Sequence, residues 1–241
     1  MLLDIDYIAT GHYARIEYDA GSGRYLLKKA TDESKDQSYV LYFMTQGKLA
    51  HTIFPLGDLH KTEVRDIAEK QGFLNAAKRD SQDICFVRDG DYAGFIEHYT
   101  GKADESGDFV DTRGNILGKH KGLTRYTIGQ RKGLGLSFGQ PMYVGSKDTE
   151  DNTVTLCEYE ELFSKSLDAA DFNWIADDGA DSPVRVKAKV RYAQKEQWAT
   201  ATPAPNGMVH IEFDQPQRAI AKGQAVVLYN GDIVVGGGTI M

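Results

Sequence analysis

Two cysteines are the residues of this chain best suited to covalent chemistry. Cys85 lies in the segment SQDICF at 81–86, with basic residues close by on both sides. A thiolate is a strong nucleophile that can carry a second sulfur atom as a persulfide, and neighbouring cations favour the thiolate form. The alternative for Cys85 is a buried apolar residue, which is the commoner role of a lone cysteine. Cys157 follows the strand-like segment VTL at 154–156, so we expect it to be a buried structural residue. The sequence does not predict that the two cysteines act as a pair.

Two polar segments near the amino terminus could hold a ligand. His12 follows a predicted strand, at the end where open α/β sheets bind their ligands, and Gly11 would let a ligand approach the backbone. Lys35, Asp36 and Gln37 offer a cation, an anion and an amide at a predicted helix start, although the same residues are also typical of helix capping. The histidines and cysteines lack metal-ligand spacing, so no metal site is predicted.

The positive charge is concentrated in two stretches of an otherwise acidic chain. The formal net charge is -7, yet residues 112–147 and 184–195 contain several Lys and Arg and no Asp or Glu. Such stretches favour contact with a phosphate backbone. The alternative interpretation is that they are two solvated faces in which basic residues are locally frequent by chance.

The composition is that of a folded domain protein with no predicted membrane span. The chain has 241 residues, of which 41% are hydrophobic and 26% charged. Its start has neither a basic region nor a long apolar run, and its cysteines are few and distant from each other. We therefore expect a cytoplasmic protein with no membrane partner.

The first hundred residues have α/β character. Residues 5–10 predict a strand, and the glycines around 21–23 predict the turn of a strand pair. Apolar periodicity predicts helices over 38–46 and 61–71, and a third helix is expected to begin after Asp91 and to end at Gly101.

After residue 101 the pattern changes to short strands with glycine turns. A linking segment is expected around Trp174, and the glycines at 236–238 are expected to form a turn at a strand end. Short, evenly spaced strands are typical of a small barrel. The predicted strands lie near 109–110, 115–118, 142–144, 153–156, 184–190, 209–213, 225–229 and 233–235.

Several ordered motifs together resemble the tRNA-specific 2-thiouridylase family, over essentially the whole chain. The longest are ATGHYAR at 9–15, SQDICF at 81–86 and YTIGQRKGL at 126–134. The others lie at 35–39, 118–122, 190–192, 223–225 and 236–238.

The resemblance implies a multidomain α+β fold. Residues 1–100 would be the C-terminal part of an α/β PP-loop ATP pyrophosphatase domain, of the adenine nucleotide alpha hydrolase-like type, in truncated form. Residues 101–165 would form a small, mostly-β central domain, and residues 166–241 a C-terminal β-barrel.

The resemblance also implies an activity and its participants. In the family, ATP, with Mg²⁺, activates C2 of a wobble uridine in tRNA, and a cysteine persulfide delivers sulfur to that carbon. Cys85 matches the persulfide-bearing cysteine, and Gly11 matches a position beside ATP. The implied partners are tRNA and a sulfur-relay protein or cysteine desulfurase as sulfur donor, without DNA. The matching tRNA contacts are His12, Lys35, Asp36, Gln37, Arg191, Tyr192 and Gln224.

One departure from the family pattern limits these expectations. The Gly- and Ser-rich PP-loop, and an earlier cysteine and aspartate of the family's active site, have no counterpart in the sequence. Since backbone N–H groups of such a loop bind ATP phosphates, we expect no adenylation by this chain alone. A non-catalytic tRNA-binding module derived from such an enzyme is the alternative. A methyltransferase is not favoured, because no strand, glycine loop and helix frame a site for a methyl donor.

Overall fold

The computed structural model describes residues 5–74, 76, 87 and 90–241, and it divides the chain into two compact units. The first unit combines Met1–Lys78, Lys165–Gln215 and Lys222–Met241, and the second combines Arg79–Ser164 with Pro216–Ala221. The first unit is therefore discontinuous in sequence, and it contains every predicted tRNA contact.

A closed β-barrel forms one part of the first unit. The strands at 184–189, 197–203 and 209–213 alternate buried with more exposed side chains, whereas those at 225–230 and 233–240 are buried in continuous runs. Neighbouring strands follow the order β13-β10-β11-β12-β9-β14, and the pairing of β14 with β13 closes the ring. The strands are β9 (Phe163–Trp174), β10 (Val184–Lys189), β11 (Gln197–Pro203), β12 (Val209–Arg218), β13 (Ala225–Asn230) and β14 (Ile233–Ile240).

The amino-terminal segment of the first unit packs on this barrel. Strands β2 (Ala14–Asp19) and β3 (Arg24–Lys29) form an antiparallel hairpin, and Lys28 of β3 pairs with Ile233 of β14. One hydrophobic core contains Leu27 and Leu49 from this segment together with Val227 from β13. The remaining elements of the segment are β1 (Ile8–Ala9), α1 (Gln46–Ala50), β4 (Thr52–Ile53) and α2 (Lys61–Lys70), with β1 and β4 parallel.

The second unit is built on a four-stranded sheet with the order β6-β5-β8-β7. Its core centres on Phe109, Val144 and Val154, all fully buried. Buried His120 accepts the Gly122 N–H at Nδ1, which leaves Nε2–H to donate to the Asn152 carbonyl. The elements are α3 (Tyr92–Thr100), β5 (Gly107–Val110), β6 (Ile116–His120), β7 (Tyr143–Asp148) and β8 (Thr153–Cys157).

Most elements predicted from local signals are confirmed. The hairpin turns around 21–23, and α2 ends at Lys70, just before Gly72. Helix α3 begins after Asp91, whose carboxylate accepts the Gly94 N–H at 3.0 Å, and Gly101 ends it in the left-handed conformation. Cys157 lies buried in β8, as expected for a structural thiol. The multidomain α+β fold with a β-barrel is thereby confirmed.

Four local predictions are wrong. The strand predicted over 5–10 is only the two-residue β1, and the helix predicted over 38–46 is a short 3₁₀ turn, Ser38–Leu41, followed by α1. The segment around Trp174 is not a linker, because it ends the twelve-residue strand β9. The glycines at 236–238 lie inside β14 and not in a turn. Glycine is needed at 237 because a Cβ there would come within 2.8 Å of Tyr42 and of the Val226 carbonyl.

Within the part of the chain that the structure describes, no helix combines the length and apolarity needed to cross a membrane.

Candidate nucleic-acid interface

His12 stands just beyond the parallel pair β1–β4. The Thr10 N–H extends this pairing by donating to the Ile53 carbonyl at 3.1 Å. The His12 ring is fixed by a 2.9 Å hydrogen bond between Nδ1 and the Thr10 hydroxyl, and by an edge contact with Phe54. Nε2 of His12 bonds to no described residue, so this nitrogen is available to a ligand.

Gly11 is exposed, and the described structure gives no packing reason for a glycine there. A Cβ at this position would meet only Leu56, at an ordinary contact distance of 3.7 Å. The backbone beside His12 is therefore open to close approach. The position of Gly11 beside ATP stays a prediction.

The loop that carries Lys35, Asp36 and Gln37 is built around the Asp36 carboxylate. Its Oδ1 accepts the N–H groups of Ala30 at 3.0 Å and Ser38 at 3.2 Å, and Oδ2 accepts the Ser38 hydroxyl at 2.7 Å. Ser38 is fully buried, so these bonds satisfy polar groups that water cannot reach. The side chain of Asp36 is thus occupied in shaping the loop.

Gln37 ties this loop to the His12 segment. The Tyr13 N–H donates to Oε1 of Gln37 at 3.0 Å, and the Gln37 N–H donates to the Tyr13 carbonyl at 2.8 Å. The reciprocal pair leaves the side-chain amide Nε2 of Gln37 without a bond to any described residue. Gln37 therefore keeps donors for a ligand beside His12.

Tyr192, just after β10, reaches the same loop from the barrel. Its hydroxyl donates to the Asp36 carbonyl at 3.0 Å, and its ring packs edge-on against Tyr39. Burial raises the pKa of Tyr192, the charge of Asp36 adds to this rise, and the charge of Lys35 opposes it. The ring is nevertheless 48% exposed, so it offers an aromatic face next to a cation.

Tyr39 links the remaining two predicted residues to this group. Burial, with a smaller contribution from Tyr42, raises the pKa of Tyr39 to about 12, and the charge of Arg191 opposes that rise. The Tyr39 hydroxyl donates to the Ala225 carbonyl at 2.8 Å, directly next to exposed Gln224. Arg191 directly precedes Tyr192 in the sequence, and Gln224 directly precedes Ala225, so both residues adjoin the contacts that Tyr39 makes.

Lys189 packs against the rings of Tyr39 and Tyr192, and its own sequence context did not identify it as a site residue. Its ammonium nitrogen lies 5.7 Å from the ring centre of Tyr39, 5.8 Å from that of Tyr192 and 6.0 Å from that of Tyr229. Burial among these rings lowers its pKa, although the charges of Asp36 and Glu196 oppose that effect. Its place in the basic stretch at 184–195 was the only signal available, since the three rings come from separate segments.

Hydrogen bonds between Gln37 and Tyr13, Tyr192 and Asp36, and Tyr39 and Ala225 therefore link the four segments that carry the predicted tRNA contacts into one candidate surface. We call it the Tyr192 surface and define it as His12, Lys35, Gln37, Arg191, Tyr192 and Gln224. It combines an exposed ring, two cations and amide and imidazole donors, which suits stacking on bases and binding of phosphates. The Tyr192 surface, as defined, contains no cysteine thiol, and Cys85 lies outside the described residues.

Three family models match the chain in succession. Residues 1–89 match the tRNA methyl transferase HUP domain, residues 93–158 the tRNA methyl transferase PRC-barrel domain, and residues 164–240 the aminomethyltransferase beta-barrel domain. This order of three matched models defines a class of multidomain proteins associated with tRNA modification.

Close relatives narrow this class. The chain is 54% identical over 238 residues to the tRNA-specific 2-thiouridylase MnmA of Acetivibrio thermocellus, covering 99% of this chain and 66% of that protein. The protein of the same name from Clostridioides difficile is 54% identical over 235 residues, covering 98% and 65%. That of Moorella thermoacetica is 52% identical over 238 residues, covering 99% and 67%. The chain belongs to the tRNA-specific 2-thiouridylase family, and it spans about 66% of the length of such relatives.

Proposed function

We propose that this chain takes part in the 2-thiolation of uridine in tRNA, and that the Tyr192 surface binds the tRNA. The observation that carries the proposal is that hydrogen bonds of Gln37 with Tyr13, of Tyr192 with Asp36 and of Tyr39 with Ala225 link the four segments that carry the predicted tRNA contacts. The matching family models carry methyl transferase names, whereas relatives more than half identical to this chain carry the thiouridylase name. The names of the relatives therefore support the transfer of sulfur to tRNA better than the transfer of a methyl group.

The proposed chemistry begins with activation, because the C2 oxygen of uridine is a poor leaving group. In this first step the uridine oxygen would attack the α-phosphorus of ATP, with Mg²⁺ accompanying the nucleotide, and pyrophosphate would leave; because the sequence has no counterpart of the PP-loop, the step is not assigned to this chain alone. The outer sulfur of a Cys85 persulfide then attacks C2, and the oxygen departs with AMP. The S–S bond is broken by a second thiol, which forms a disulfide with Cys85. Gly11, with its open backbone, is the proposed position beside ATP.

Binding is tested by removing the exposed ring of the surface. Base stacking on an aromatic side chain contributes about 1–3 kcal/mol, so Tyr192→Ala should weaken tRNA binding by roughly 5- to 150-fold. Tyr18→Ala is the matched control, because Tyr18 is a similarly exposed tyrosine, 56% against 48%, in the same unit. Equal tRNA affinities for the two variants would contradict the proposed surface.

The proposed role of Cys85 as a sulfur carrier is tested by measuring the sulfur loaded onto the chain, not by measuring catalytic turnover. The chain is incubated with a cysteine desulfurase and ³⁵S-cysteine, and label released by a reductant is measured. The expected result is label on the unmodified chain and on Cys157→Ala, and none on Cys85→Ser. Label retained by Cys85→Ser would remove the proposed role of that thiol and favour a non-catalytic tRNA-binding module.

A further inference from the structure

The outward face of β10 carries a row of cations that continues away from the Tyr192 surface. Val186 and Ala188 point into the barrel and are buried, so Arg185, Lys187 and Lys189 point outward. Successive outward side chains on a strand lie about 7 Å apart. The row therefore leads from Lys189, beneath Tyr192, along the outside of the barrel.

Trp198 lies next to this row on strand β11. It pairs in register with Lys187, and its ring is 49% exposed. The Lys187 ammonium nitrogen lies 5.3 Å from the ring centre, and the Arg185 guanidinium carbon lies 5.0 Å from it. A half-exposed tryptophan between two cations adds nothing to the barrel interior, but it is typical of surfaces that bind nucleic-acid strands.

The two cations differ in their availability. Both terminal nitrogens of Arg185 donate to the Asp214 carboxylate, at 2.7 and 2.5 Å. Lys187 forms no ion pair with any residue in the described ranges, and its ammonium is oriented by the Trp198 ring. Lys187 is thus a positioned cation free to bind an anion, while Arg185 helps to fix the ring.

We propose that Arg185, Lys187 and Trp198, which we call the Trp198 strip, bind the ribose-phosphate backbone of the same tRNA that occupies the Tyr192 surface. The inference rests on the proposed function. The strip continues the row that begins at Lys189, and its free cation is complementary to phosphate. An exposed aromatic face beside that cation suits a ribose or an unstacked base.

The test compares two substitutions that remove one positive charge from the same barrel. Lys187→Gln removes the proposed phosphate contact, whereas Lys165→Gln removes an exposed β9 cation paired with Glu212 at 3.3 Å. Affinity for a tRNA transcript with uridine at the wobble position is measured from about 50 to 300 mM salt. One phosphate contact contributes about 0.7 to 0.9 to the log-log slope, which corresponds to roughly 5- to 8-fold in affinity at 0.1 M salt.

The expected result is a smaller salt slope and weaker binding for Lys187→Gln, with both quantities unchanged for Lys165→Gln. tRNA should also change the tryptophan fluorescence of the unmodified chain, and Trp198→Phe should lose most of that change. Identical slopes for the two glutamine variants would overturn the strip while leaving the Tyr192 surface intact. Weaker binding without a change in slope would also overturn it, because the contact would not be to phosphate. Absence of tRNA binding by the unmodified chain would instead refute the proposed function.

Discussion

The Asp36 carboxylate offers the sharpest test of how the Tyr192 surface is held in place. Asp36→Ala removes three hydrogen bonds and leaves the Ala30 N–H, the Ser38 N–H and the Ser38 hydroxyl without that acceptor. At roughly 1 kcal/mol for each lost bond, the first unit should lose about 3 kcal/mol of stability. With a urea dependence of roughly 2 kcal/mol per M, the unfolding midpoint should fall by about 1.5 M.

The assay can be made specific to this unit. The chain contains two tryptophans, Trp174 and Trp198, and both belong to the first unit. Urea unfolding followed by tryptophan fluorescence therefore reports on the unit that contains Asp36.

The matched control is Asp36→Asn. The asparagine oxygen can still accept both backbone N–H groups, and its amide can donate to the Ser38 hydroxyl oxygen, so the loss should stay below about 1 kcal/mol. A midpoint shift of less than about 0.3 M for Asp36→Ala would refute the reasoning. Equal losses for the two variants would refute it as well, because they would show that the acceptor oxygen is not what matters.

Two further changes test the support of the same unit. Because the folded-state pKa of Tyr39 is raised to about 12 from 10.0, the folded state retains a proton that the unfolded chain loses, so stability should fall as pH rises from about 10 toward 12. In the Tyr39→Phe variant, the urea midpoint should therefore decrease less between about pH 9 and pH 11 than in the unmodified chain. Equal decreases in the two proteins would contradict this role of Tyr39. Gly237→Ala should cost about 1–3 kcal/mol through overpacking against Tyr42, measured by urea unfolding. Gly47→Ala in α1, where a Cβ meets no atom within 4 Å, should be neutral or stabilising by up to about 1 kcal/mol, so equal losses would exclude crowding as the cause.

The sequence predicted those elements whose signals are local. The β2–β3 hairpin has alternating side chains around a glycine turn, and α3 has a capping aspartate and a terminal glycine. Strand β9 escaped prediction because half of its residues are polar and only Leu167 and Ala169 of it are buried. The closure of the barrel depends on pairings between distant strands, which a single-strand pattern cannot reveal.

For the candidate site, the sequence indicated the residues but not the contacts between them. Family resemblance supplied its residues, but sequence spacing could not show that Tyr192 would meet Asp36 or that Tyr39 would bond beside Gln224. The half-burial of Lys189 depends on rings from three segments, so the local charge pattern indicated only a cation. The role of Cys85 and the domain boundaries at 100 and 165 stay predictions.

The discontinuous first unit has a consequence for synthesis on the ribosome. Leu27 and Leu49 leave the exit tunnel long before β13 and β14, which complete their shared core, have been translated. These apolar side chains therefore lack their β13 and β14 partners while residues 79–164 are made, a period in which chaperone binding and misassociation compete with folding. Because β14 pairs with β13, β9 and β3, its synthesis both closes the barrel and joins the hairpin to it.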